Sequence, residues 1–509
     1  KPLYLTNPAA QRFIYTISED SGIPIFESAV KFIAVVYIGN DKSLVTAYNT
    51  SQRVATLKTT PNGVGVGMFD LRPIIESFVS PDYEGSNVPI DSQYDSNSCY
   101  KDQPYDDDFH FPIHIIDRGA LGVNSTTWVA VQFYIEYLDA DPNLGNQVAI
   151  DPNLQPNSQP LFVFNGVLYN EDWLKRGTGL SASNPASSFG YNYAYRNYIM
   201  DSANAKFLTQ APTTQYARLT DYGTFSFFTM LNGSDFSFGT SPLGGTRTVF
   251  YVVQILYDSS GSVLGTQKVF GNFPTTSTAD ASGGGSANYA DNFSYSFLMY
   301  MGLYPANLTN WLGAGTDWYD NLASISYYTL QAFDDDTPSA NAISQIYTIN
   351  IICPNSFGYE GIRLTWLNKF GTWDYYTFNQ KSVKSVSTKK STYTQLGGTW
   401  NEAIYTPSGY KGGKKNFRVN SKEKIKLNTD FLNDLESVWI EGVITSPEVY
   451  IVNEYGDTYV DQTLGIINKY VEPVIVTTSN FVRKTKANDK LIQYTIDIER
   501  NKDQRQQAI

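Results

Sequence analysis

The two histidines of the chain, His110 and His114, lie in Asp106-Asp107-Asp108-Phe109-His110-Phe111-Pro112-Ile113-His114, the stretch in which metal chemistry is easiest to imagine. On a strand, alternate side chains share a face, so Asp108, His110 and His114 would form a possible ligand set for a divalent ion. Pro112 interrupts that strand and argues for an edge or a loop. Only Cys99 lies near as a further soft ligand, and ordinary strand-edge histidines are the expected outcome. Nucleophilic catalysis fares worse. No G-x-S-x-G elbow is present, and Cys353 follows the apolar run Tyr347–Ile352, which suits a buried, inert thiol. Gly409, Gly412 and Gly413 precede Lys414 and Lys415, but a phosphate loop fails at Ser408 and again at Lys415. Paired carboxylates such as Asp334, Asp335, Asp336 or Glu360 have no context that lifts them above surface acids. Trp311, Trp318, Tyr319 and Trp400 could stack on sugars, although aromatic residues of this kind serve more often as core or interface anchors. The chain is therefore expected to have no catalytic residue, no cofactor and no metal.

The elements that would position these residues are mostly strands. Aromatic residues reach 15%, with 38 tyrosines, in a chain of 509 residues, a composition suited to pleated, half-buried surfaces. Alternation marks 12–17, 31–38, 53–58, 127–138, 249–257, 262–270, 346–353, 362–367, 449–452, 470–476 and 491–498 as strands. Asp258-Ser259-Ser260-Gly261 reads as a hairpin turn between two of them. Helices are expected only at 70–79 and at 430–439, the latter capped by Asp430 with Leu432, Leu435 and Trp439 on one face. The expected fold class is mostly β and multi-domain, with β-sandwich-like domains, long loops and a few short helices. An N-terminal β-domain is expected over 1–140 and a loop-rich aromatic middle over 141–345. A C-terminal β-domain over 346–509 follows. The middle is an insertion if the 249–270 hairpin joins the first sheet.

Charge is distributed unevenly. The net charge is −12, which speaks against a dedicated nucleic-acid binder. Residues 381–426 nevertheless hold 11 Lys and Arg against 2 Glu. Such polarity suits contact between an acidic face and a basic one, and a solvated basic loop is the plainer alternative. No run of 18 apolar residues is present, so no membrane-spanning helix is expected. Two cysteines 254 positions apart exclude a disulfide scaffold. The start at Lys1 leads to the expectation that a residue or a leader precedes it.

The segment Gly361-Ile362-Arg363-Leu364-Thr365-Trp366-Leu367-Asn368-Lys369-Phe370-Gly371-Thr372-Trp373-Asp374-Tyr375-Tyr376-Thr377-Phe378 resembles a strand–turn–strand signature, L-x-W-L-N-x-F/Y-G-x-W/x-D-x-F/Y, of virion proteins from phages infecting Bacteroidetes, including crAss-like phages. The basic run through Lys381, Lys384, Lys389 and Lys390, the Leu427-Asn428-Thr429 triplet and the ending at 485–496 are similar to the same proteins. A looser similarity spans Thr46–Tyr48 to Gly67–Asp70, and the middle third is unmatched. The resemblance implies a tail, ring or baseplate subunit of the virion. Its expected partners are copies of itself in a ring and other tail proteins, with neither nucleic acid nor membrane. Trp366, Phe370, Trp373, Tyr375, Lys384, Lys389, Lys390, Lys414 and Lys415 are the expected interface residues. A glycan- or receptor-binding virion protein is the alternative, and a tail-associated glycosidase is a third reading.

Overall fold

The computed structural model describes residues 6–18, 28–40, 42–84, 112–116, 119–122, 124–138, 145–149, 160–167, 198, 200, 203–228, 249, 251–270, 298–311, 321–334, 341–352, 358–400, 402–452, 471–480 and 492–500. It is mostly β, with several sheets and a few short helices. Two compact units divide it. The first comprises Lys1–Ile352, Leu367–Asp374 and Gly456–Asn468; the second comprises Cys353–Trp366, Tyr375–Tyr455 and Lys469–Ile509.

In the first unit a six-stranded sheet is built around Ser28–Gly39 and Thr126–Leu138, which pair antiparallel from Gly39 opposite Trp128 to Lys31 opposite Glu136. Arg53–Thr59 flanks one side, and Leu161–Phe164 and Thr6–Pro8 the other. The central strand is buried without a break from Phe32 to Ile38, because neighbours cover both of its faces and the period of two is lost there. A second sheet runs in the order Thr214–Ala217, Tyr347–Ile351, Tyr327–Phe333, Tyr251–Tyr257, Val263–Phe270. The Asp258 turn closes its hairpin: the Asp258 carboxylate accepts the N–H groups of Ser260 and Ser262. That hairpin therefore belongs to this second sheet and not to the first. A third sheet joins Gly119–Leu121, Leu298–Gly302 and Thr224–Phe228, and Leu161–Phe164 pairs with Thr126–Val129. Segments on either side of residue 140 thus share sheets, which revises the expected separation of 1–140 from 141–345.

The second unit carries a seven-stranded sheet. Its order is Trp373–Phe378, Ile362–Leu367, Val449–Val452, Val471–Val476, Thr495–Arg500, Gly413–Asn428, Val383–Gln395. Ile492, Tyr494, Ile496 and Ile498 are buried on one face, as the alternation of their sequence requires. The helix Asp434–Thr445 starts later than the sequence pattern suggests. Asn433, not Asp430, is its cap: the Asn433 side chain accepts the Glu436 N–H while the Glu436 carboxylate accepts the Asn433 N–H. The shift turns Trp439 and Ile440 inward and leaves Leu435 75% exposed, so Leu432, Leu435 and Trp439 do not share a buried face.

Candidate assembly interface

The signature hairpin is the first of two features that bear on function. In the second unit Trp366 is buried against Trp439, ring centroids 5.5 Å apart, and Tyr376 meets Trp439 edge-on at 5.7 Å. The Arg363 guanidinium donates to Thr377 Oγ1 at 2.8 Å and lies over the Tyr375 ring. The tip of the hairpin, Leu367–Asp374, belongs to the first unit. There Asn368 Oδ1 accepts the Phe370 and Thr372 N–H groups, and the Asn368 amide donates to the Leu208 carbonyl and to Asp374. The buried Asp374 carboxylate also accepts from Thr209 Oγ1 (2.6 Å) and the Gln210 N–H (3.1 Å). Each polar group that this turn buries is thereby answered by another. Gly371 has φ +73°, and a Cβ there would overlap the carbonyl oxygen of Asn165. Trp373 Nε1 donates to the Asp82 carbonyl at 3.0 Å, and Phe370 packs on Tyr198.

Trp366, Phe370, Trp373 and Tyr375 are thus core residues of the chain itself. Their rings are buried, and the expectation that they face a neighbouring subunit is revised for that reason. His114 is also buried, in a short 3-10 turn at Ile113–Ile115 and not on a strand, with its ring edge-on to Trp373 at 4.8 Å. Among the described residues no group of three or more His, Cys, Asp or Glu gathers to hold a metal. His110, Asp108, Cys99, Cys353, Trp318, Tyr319, Asp335 and Asp336 lie outside the described residues, as does the side chain of Trp311. The Asp334 carboxylate accepts the Asn341 N–H, and Glu360 pairs with Lys384 at 2.6 Å.

The second feature was legible in the sequence only as a run of basic residues. Val383–Gln395 and Gly413–Asn428 form a long antiparallel ribbon, from Val383 opposite Lys426 to Gln395 opposite Gly413. All 13 residues of the first strand are exposed. Among the described residues, only the root of the second strand, Lys424–Asn428, gains another neighbour, Thr495–Arg500. From Val386 and Glu423 outward the ribbon pairs with no further strand among the described residues for about 30 Å, at roughly 3.4 Å per residue. Lys389 and Lys390 point to opposite faces, with Asn420 and Val419 as their cross-strand partners, so both faces carry cations. At the outer end Tyr393 meets Phe417 edge-on beside Lys414, Lys415 and Arg418.

The tip folds on itself. Thr399 N–H donates to the Thr406 carbonyl, Trp400 Nε1 donates to the Gly397 carbonyl, and the Trp400 and Tyr405 rings lie 5.2 Å apart. Leu396, Trp400, Ile404, Tyr405 and Tyr410 are nonetheless exposed, Ile404 at 77% and Tyr410 at 82%. These exposed apolar side chains lie at the end of a basic stalk, the kind of surface that a partner covers.

Charge at the root is balanced, whereas charge on the stalk is not. Glu499 accepts from Lys422 at 2.6 Å and has Lys424 3.8 Å away; the hydrogen bond from Lys422 is the main reason its carboxyl sits below the ordinary range. Arg500 bridges Glu472 and Glu423 across three strands, and its bond to Glu472 raises its already high pKa. Among the described residues no carboxylate lies within ion-pair distance of Lys389, Lys390, Lys414, Lys415 or Arg418.

No protein-family model matches the chain, and no curated protein matches it. Among solved structures, a chain from the virion of a native gene transfer agent particle is similar at 12% identity, over 28% of this chain and 91% of that one, with a TM-score of 0.14.

Proposed function

We propose that the chain is a structural subunit of a bacteriophage virion, a component of the tail that works by oligomerising into a ring and carries out no chemistry. The observation that carries this reading is the free-standing ribbon. Two strands alone are marginal in water, and this pair adds an apolar cap and uncompensated cations, all of which a neighbouring subunit would cover. The signature hairpin supports the same reading through its resemblance to virion proteins of Bacteroidetes phages. Mass photometry or electron microscopy of the purified chain should show a discrete assembly of several subunits; a monomer at micromolar concentration removes the reading.

The exposed Trp400–Tyr405 pair favours a second reading, in which the chain grips a host-surface glycan. Glycan-array binding that disappears in Trp400→Ala, with assembly unchanged, would select it.

A further inference from the structure

The second unit carries another exposed apolar surface whose charge is the opposite of the ribbon's. Phe431, Leu435 and Val438 are 61%, 75% and 45% exposed, the last two on one face of the helix Asp434–Thr445. In the sequence that holds them, residues 427–452 contain five carboxylates, Asp430, Asp434, Glu436, Glu441 and Glu448, and no Lys, Arg or His. An acidic apolar stripe and a basic apolar tip therefore occur on the same unit, and the tip ends in side chains that no described residue of that unit covers.

We infer that the ribbon tip of one copy, through Ile404, Tyr405 and Tyr410, docks on the Phe431–Leu435–Val438 stripe of a second copy, with Lys411, Lys414 and Lys415 facing the carboxylates around the helix. This rests on the oligomeric reading above and specifies its contact. Two different surfaces meet, so the contact is head-to-tail: every copy offers one tip and one stripe, and the chain of contacts closes into a ring when the rotation per subunit allows it. Apolar contacts supply the burial, and opposite charge orients the approach. The lysines of the stalk also discourage the competing mode in which two ribbons pair edge to edge, since like charges would then lie side by side.

A mixing experiment tests the contact. Ile404→Asp removes the tip and Leu435→Asp removes the stripe, each at a position exposed enough to leave the fold unaltered; circular dichroism and the thermal midpoint check this, with Tyr410→Asp and Val438→Asp as the second pair. By sedimentation velocity each variant alone should run as the 56.9 kDa monomer, self-association being weakened about 100-fold. An equimolar mixture should form a species of twice that mass and stop there, because each pair holds one intact tip and one intact stripe and both are used in that contact. Variants that assemble like the parent chain, or a mixture that stays monomeric, overturn the inference while leaving oligomerisation standing. A parent chain that is itself monomeric overturns the oligomeric reading as well.

Discussion

Gly371 shows how a single residue fixes the signature turn. Its positive φ and its approach to the Asn165 carbonyl leave no room for a side chain, so Gly371→Ala should lower stability by about 2–4 kcal/mol in chemical denaturation. Asp374 is the complementary case. Asp374→Ala would leave the donors of Thr209, Gln210 and the buried Asn368 without their acceptor, a loss of about 2–3 kcal/mol that the same measurement reads. Asn368 and Gly371 were readable as turn residues from their types alone. The burial of Asp374 was not, because Thr209 and Gln210 lie 165 and 164 positions earlier in the chain, and no local pattern reports such a contact. The same limit applies to Trp366 and Trp373: aromatic spacing marks a face, but whether the face meets the chain's own core or a neighbour depends on what folds over it.

Among the elements, the three strands of the first sheet near 31–38, 53–58 and 127–138 and the Asp258 hairpin followed from alternation and turn chemistry, as did the burial of Ile492, Tyr494, Ile496 and Ile498, whereas Thr6–Pro8, Gly145–Ala149 and Leu161–Phe164 were not expected. The ribbon did not. Val383–Gln395 mixes Ser, Thr and Lys with scattered apolar residues and faces water on both sides, so it has no apolar period to detect. Its root offers a pH test. Glu499 titrates below its ordinary value in the folded chain because Lys422 holds its charged form. The stability it contributes is therefore complete above the unfolded-state value, near 4.5, and is lost as pH falls through the lower folded value. The gap in denaturation midpoint between the parent chain and Glu499→Gln should be constant above about pH 6 and should close as the pH is lowered toward 3. A gap independent of pH would mean that Lys422 and Glu499 do not interact in solution.

For the whole molecule, uneven charge was visible from the outset, and the structure locates its basic part on the two-stranded ribbon of the second unit. If that ribbon meets acidic surface on another copy, assembly weakens with salt. Raising ionic strength from about 0.05 to 0.5 M shortens the screening length from roughly 14 to 4 Å and should shift the mass distribution toward smaller species. Replacing Lys389, Lys390, Lys414 and Lys415 together by Gln should give small species at every salt concentration and remove most of the salt dependence. An assembly held by apolar contact alone would stay the same size or grow.

The way the first unit is completed has a consequence for synthesis. Its longest piece ends at Ile352, yet Phe370 and Trp373, which pack on Tyr198 and His114, arrive later in the short piece Leu367–Asp374. A nascent polypeptide therefore leaves the ribosome with an unfilled hole in its leading part, and that hole is plugged only after the turn has emerged. A fragment ending at residue 352 is accordingly an unfinished body and not a separable module, and cutting the gene there would sever a core.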